Sequence, residues 1–500
     1  MSLPYDNKPS TMHEEFVMDA MPTYANDSVA PYEPGGAEEK AFIRKLDRRL
    51  IPIIWFMYVM SYLDRANIGN AKTGGMETDL KLTSTHYSIV LLVFFVGYVC
   101  FEVPSNMILV RVRPSLYLPI LMATWGAVSM CLAACNSYIT MSVVRLILGA
   151  VEAGFAPGVL FLLSSWYRKN ELATRFALYY TASAFSGALG GLLAGAITGH
   201  LDGKGGVAGW RYLFIIEGAA TIASSVIAFF LLPDFPATTK WLTEREKWLC
   251  AARLRADGVG AAQGDAETLG HGKAFKSVLS DWRTYAMTFL FMMVTGAQTI
   301  QYFTPTLVKN MGYKGTTAQY MTIPIYMVAV VGIIVIPISS DRFKERPFHI
   351  AVSMAMGAVC FAVLIATQNH KVQYVFLSFG IAFIYANAPL VLVWTSNIIS
   401  YPAEKRAITQ AFVNAMGNSA SIYGSFLWPA KTGPKYTMGF AVTLGMLAAC
   451  SMGALAMRYL TNKYPYHFEM PARRQDIEMP DQMGTGSDTP IEKSEIIHRE

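Results

Sequence analysis

Two short stretches of this chain place charged side chains inside otherwise apolar runs. The segment Tyr62-Leu-Asp-Arg-Ala-Asn-Ile-Gly69 holds Asp64, Arg65 and Asn67, and a later run holds Arg145 and Glu152. Seven residues of separation put Arg145 and Glu152 on one helical face, two turns and about 10 Å apart along the axis. Counted from the starts of their helices, Asp64 and Arg145 come out at similar depth, with Glu152 deeper. Ionisable groups in such surroundings are costly and mark function by default. The chemistry open to these four is proton-switched capture of an anion. Removal from water favours the neutral carboxyl and a neighbouring guanidinium favours the carboxylate, so protonation can follow whether the arginine holds the acid or a substrate. Arginine suits that task because its planar fork grips a carboxylate with two parallel hydrogen bonds and keeps its charge. The plainer reading is a pair of buried salt bridges that only fix helix packing, although such pairs are poor stabilisers.

Apolar helices must carry these groups, and the composition supplies them. Of 500 residues, 53% are hydrophobic, 39 are glycine and only 15% are charged, where soluble domains have about 25% charged. A bilayer core about 30 Å thick takes about 20 apolar residues per helix. Twelve runs qualify, at 50–70, 87–109, 115–135, 138–164, 175–199, 210–232, 284–304, 318–338, 347–368, 372–397, 406–429 and 437–460. The fold class that follows is an all-α polytopic membrane protein, twelve transmembrane helices in two six-helix halves. Its expected domains are a disordered cytosolic tail at 1–49, a first half at 50–232, a cytosolic linker at 233–283, a second half at 284–461 and a disordered tail at 462–500.

Fourteen lysines and arginines flank the spans on one side and nine on the other, which puts both termini in the cytoplasm. The net charge of +6 reports those loops, and no nucleic-acid partner is expected. The six cysteines show neither pairing nor metal spacing, so they read as small buried hydrophobes, and no cofactor or metal is implied. The acidic, polar first forty residues contain no signal peptide. In the linker, Thr243-Glu-Arg-Glu246 has the form of a capping box opening an amphipathic helix, with Trp241, Leu242, Trp248, Leu249 and Leu254 as its apolar stripe. The small-residue run Ser183, Gly187, Gly191 and Gly195 lets span 5 approach another helix closely, as a rocking interface requires.

Several ordered motifs go further. These are the Tyr62 segment, Phe101-Glu-Val-Pro-Ser-Asn106, Arg145 to Gly158, Ser165 to Phe176, Gly209-Trp-Arg-Tyr-Leu-Phe-Ile-Ile-Glu-Gly218 and Leu232-Pro-Asp-Phe-Pro236. Together they resemble the anion:cation symporter family of the major facilitator superfamily, and more narrowly its fungal branch of allantoate, nicotinate and pantothenate permeases. The likeness runs from Asp47 to Tyr459. Ser340-Asp-Arg-Phe-Lys-Glu-Arg346 is similar to the superfamily's loop motif, with Glu345 where glycine is expected. The resemblance implies a proton-coupled symporter of a small organic anion, a monocarboxylate or vitamin-like acid, working by alternating access. Its partners would be the anion, protons and the lipid bilayer, and the protein would be a monomer in the plasma membrane. It also implies that Asp64 and Glu152 take part in proton coupling, that Arg65 and Arg145 serve the anion, and that Tyr98 lines the cavity.

In the second half, Gln298 of span 7 and Asn414 and Asn418 of span 11 offer amides to a cavity or to hydrogen bonds between helices. Two other functions fit the layout. One is efflux of a fungal secondary metabolite on the same scaffold. The other is a non-transporting nutrient sensor, which would call for a large folded cytosolic domain. An enzyme is not expected, because no nucleophile motif, metal spacing or phosphate loop lies at a span end.

Overall fold

The computed structural model describes residues 32–109, 112–236, 238–256, 271–399 and 403–466. The first half consists of α1 (Ala37–Ala71), α2 (Ser84–Leu109), α3 (Pro114–Cys131), α4 (Tyr138–Glu152, continued as Phe155–Ser164), α5 (Lys169–Leu201) and α6 (Gly209–Leu231). Two linker helices follow, α7 (Glu244–Ala256) and α8 (His271–Leu279). The second half begins with α9 (Trp282–Gln298, continued as Thr304–Asn310), α10 (Gly315–Tyr320 and Thr322–Phe343) and α11 (Arg346–Ala366). It ends with α12 (His370–Ile398), α13 (Ala403–Asn418 and Ala420–Gly424) and α14 (Thr437–Lys463).

Nine spans among the described residues are long and apolar enough to cross a bilayer by composition alone. The other three, α1, α9 and α13, owe their polarity to where they sit. Each meets the opposite half. Gly69 of α1 lies against the Tyr302 carbonyl, so close that a Cβ there would come within 2.7 Å of the oxygen. Around that contact α9 gives way to a 3-10 turn over Thr299–Tyr302. Helices that line a polar interior cannot be uniformly apolar, because their inward residues face water or ligand.

Span 1 begins at Ala37 rather than at Leu50, so 37–49 is helical where a tail was expected. Three of its charges meet partners: Glu38 with Arg245 at 2.9 Å, Lys45 with Glu246 at 2.7 Å and Asp47 with Arg175 at 2.8 Å. Residues 1–31 and 467–500 of the expected tails lie outside the described residues. The capping box of α7 forms reciprocally, with the Thr243 amide donating to Glu246 Oε2 at 2.9 Å and the Glu246 amide to Thr243 Oγ1 at 3.3 Å. Arg253 of α7 is fully buried, donating to Glu39 at 2.6 Å and to Glu171 at 2.6 Å. These bonds strap α7 to the first half, while α8 packs on α13 of the second. All six cysteines are free, and Cys100 and Cys131 are exposed instead of buried, on apolar helices whose outer faces suit lipid.

Close glycine contacts set the spacing of the helices that carry Arg145. A Cβ at Gly149 of α4 would collide with the Phe94 carbonyl of α2, and one at Gly97 of α2 with the Leu146 carbonyl of α4. Across the halves, Gly187, Gly191 and Gly195 of α5 press on Tyr326, Thr322 and Tyr320 of α10. Gly149→Ala should therefore cost roughly 1–3 kcal/mol through overpacking. Gly445→Ala, whose Cβ would meet nothing within 4 Å, should be neutral. Thermal unfolding of the two variants in detergent checks the contrast.

Candidate functional site

Neighbouring residues on a helix point about 100° apart, and α1 uses that divergence to send Asp64 and Arg65 into different surroundings. Asp64 is completely buried and faces α3 and α6. It accepts hydrogen bonds from Trp125 Nε1 at 3.2 Å, Ser129 Oγ at 3.4 Å and Thr221 Oγ1 at 2.8 Å. Arg65 turns to α4, where its Nη2 and Nε donate to Glu152 Oε1 at 2.7 and 3.2 Å. The same oxygen accepts from Ser61 Oγ at 2.6 Å. Tyr98 and Tyr62 each hold a ring 4.9 Å from the Arg65 guanidinium, with Phe94 at 5.4 Å. Tyr98 thus belongs to an aromatic sleeve around the ion pair.

Arg145 is the exception in this arrangement. Its guanidinium is wholly buried over the Phe94 ring at 4.8 Å. Among the described residues, Nε, Nη1 and Nη2 all lack a hydrogen-bond partner. Buried polar groups are almost always satisfied, and a charged one is costlier still to leave bare. The side chain is therefore equipped to receive a group from outside the protein, and a carboxylate matches its fork. Tyr87 of α2 donates to the Tyr302 carbonyl at 2.9 Å, bridging the halves.

The expected four-residue network divides accordingly. Asp64 neither meets Arg145 nor belongs to the Arg65 ion pair, because adjacent positions on α1 diverge and α3 and α6 supply Asp64 with its own donors. Glu152 pairs with Arg65 and not with Arg145. In the second half, Gln298 Oε1 accepts from Tyr180 of α5 at 3.4 Å, and its Nε2 has no partner among the described residues. Asn414 reaches across to α2, donating to Glu102 Oε1 at 3.0 Å. Asn418 ends the first segment of α13, partly buried, and joins none of these bonds. Asn67 is buried, and neither of its amide atoms has a partner among the described residues.

Two buried acids, Glu102 of α2 and Glu217 of α6, escaped the reading of the sequence. The signal was available, since each is a charge inside an apolar run and each lies in a motif already noted. Glu217 has no partner on either oxygen among the described residues.

At the end of the bundle away from the linker, the halves are joined repeatedly. Ser88 Oγ donates to the Ser425 carbonyl at 2.7 Å, the Ala430 amide to Ser84 Oγ at 2.9 Å, and Gln319 Nε2 to Thr73 Oγ1 at 2.7 Å. At the linker end a cleft of ≈ 360 Å³ is lined by Ser340, Asp341, Lys344, Arg346, Trp394 and Asn397. The loop motif there closes on itself through Arg346 and Asp341 at 2.9 Å.

The family model described as Major Facilitator Superfamily matches residues 54–425. A protein named MFS transporter prlL, of Fungal sp. (strain NRRL 50135), is 37% identical over 438 residues, covering 85% of this chain and 87% of its own. A putative tartrate transporter of Agrobacterium vitis is 31% identical over 416 residues, covering 82% of this chain and 89% of its own. A solved bacterial homologue of the human lysosomal transporter Spinster, inward-facing and unoccupied, superposes with a TM-score of 0.65 at 14% identity, over 85% of this chain and 98% of that one.

The geometry assigns the ionic coupling to one pair. A double-mutant cycle on Arg65→Gln and Glu152→Gln, read by thermal unfolding, should give a coupling of about 2 kcal/mol or more, against less than about 0.5 kcal/mol for Arg145→Gln with Glu152→Gln. Comparable values for the two cycles would show that Glu152 serves both arginines.

Proposed function

The chain belongs to the major facilitator superfamily and is a multi-pass membrane transporter of a small molecule, not an enzyme; on that premise we propose that it is a proton-coupled symporter of a small organic anion. The finer placement we propose is the anion:cation symporter family and its fungal allantoate, nicotinate and pantothenate permease branch, with the protein a monomer in the plasma membrane. One observation carries this reading: Arg145 is a buried guanidinium with no hydrogen-bond partner among the described residues, packed against α2, which also meets the opposite half. Arg65 is neutralised by Glu152, so the site offers one uncompensated positive charge. A monocarboxylate balances it. The relative named for tartrate supports an organic acid as the cargo.

In the orientation that the loop charges indicate, the sealed end faces outward and the linker-end cleft faces the cytoplasm. Alternating access then requires the outer bonds of Ser84, Ser88 and Gln319 to break. The anion is held at Arg145, with the free amide of Gln298 and the amides of Asn414 and Asn418 available from the second half. A proton delivered to Glu152 removes the charge that holds Arg65, freeing a second guanidinium for the substrate. Asp64, set apart with its own three donors, is a proton site that the anion does not touch. Tyr98 keeps the Arg65 side chain in place.

Uptake into proteoliposomes by a panel of labelled monocarboxylates tests the reading. An inward proton gradient should drive accumulation, and a protonophore should abolish it. Accumulation driven instead by an outward gradient would favour efflux, and binding without flux would favour a sensor. Arg145→Gln should leave thermal stability unchanged or raised, since a buried unpaired charge is removed, yet abolish uptake. Arg145→Lys keeps the charge without the fork and should weaken apparent affinity about tenfold, or about 1.4 kcal/mol.

A further inference from the structure

We propose that Glu217 is a further coupling residue, forming with Asp64 a two-carboxyl proton site between α1, α3 and α6 that is separate from the anion site. The proposal rests on the symport reading and extends it. Asp64 receives three donors on its two oxygens, which is the complement a carboxylate needs. Glu217 is only 1% exposed, and no donor reaches either of its oxygens among the described residues. It lies one turn before Thr221, whose hydroxyl donates to Asp64 Oδ2 at 2.8 Å.

No basic side chain is placed to compensate it. On α6 itself the remaining charge is Arg211, which donates to the Ala133 carbonyl and to Asn136 at the helix start. Helix α3 contains no charged residue over Pro114–Cys131. On α1, Arg65 is committed to Glu152, and the other charges lie at its linker end. The charged residues of α5 lie at its two ends. Beyond α1, Lys72 is held by Glu77 at 3.7 Å, and Asp79 accepts from Trp210 Nε1 at 2.7 Å. Asp64 is the charged group tied to the next turn of α6, through Thr221.

A carboxyl in such a place supplies its own missing donor by carrying a proton. The acceptor in its neighbourhood is the Asp64 carboxylate. The step is a transfer of one proton from the Glu217 hydroxyl to an Asp64 oxygen; Glu217 takes a replacement proton from water on one side of the membrane, and Asp64 releases its proton to water on the other, which returns both groups to their starting states. Separation from Arg145 lets the proton and the anion bind without competing for one group.

The test uses Glu217→Gln and Glu217→Asp in the full-length protein, reconstituted in proteoliposomes. Gradient-driven accumulation, substrate counterflow without a gradient and the pH profile of uptake are measured, with thermal unfolding in detergent. The amide keeps the shape but carries no exchangeable acid proton. Glu217→Gln should lower the accumulation ratio about tenfold, the size of a typical coupling between sites, and flatten the pH profile while counterflow continues. Glu217→Asp should recover pH-dependent accumulation. Accumulation by Glu217→Gln with the parent's pH profile would overturn the proposal, as would loss of counterflow in both variants, which marks a structural residue. If the parent itself shows no proton-driven uptake, the symport reading fails first, and that result is distinct from either outcome at Glu217.

Discussion

A guanidinium held inside a membrane protein without a counter-charge is the constraint on which this structure turns. Leaving Arg145 bare costs more than any single packing contact returns, so the surroundings must hold it there by other means. They do so with backbone contact. Gly97 and Gly149 bring α2 and α4 together until carbonyls meet α-carbons, and the Phe94 ring then lies under the guanidinium. The neighbouring arginine has the opposite fate. Glu152 and an aromatic sleeve satisfy Arg65, and Ser61 donates to the same Glu152 oxygen, so of these two arginines one is engaged and one is free, which is the asymmetry an exchange of partners needs.

The rest of the architecture is arranged around motion past that site. Glycines on α5 and bulky residues on α10 give the halves a smooth, close contact. Hydrogen bonds to carbonyls and hydroxyls close one end, and such bonds are individually modest, so they can break and re-form. By contrast the strap of α7 is charged and buried: Arg253 between Glu39 and Glu171 would be expensive to separate. The α7 part of the linker is therefore fastened to the first half.

Much of this was legible in the sequence, for definite reasons. Hydropathy located the spans because a bilayer demands long uncharged helices, and the Thr243 capping box was readable because its reciprocal bonds are local. Position along a helix predicted similar depth for Asp64 and Arg145 but not direction. Asp64 and Arg65 differ by one residue and face different helices, and only the packed bundle reveals that α3 and α6 carry Trp125, Ser129 and Thr221 to meet the first of them. The helix at 37–49 was hidden for a related reason, since its charges look like a solvated tail until Arg245, Glu246 and Arg175 are found opposite. Glu102 and Glu217 obeyed the rule that singled out Glu152 and were passed over within motifs valued for other residues.

On the proposed function Arg145, and not Arg65, is the vacant cation of the anion site. An experimental structure of the protein with a transported monocarboxylate bound tests this assignment. The carboxylate is expected in two-pronged contact with Arg145, over Phe94, while Asp64 keeps its bonds from Trp125 and Thr221. A carboxylate bound elsewhere, with Arg145 still bare or engaged by a protein acid, would contradict it.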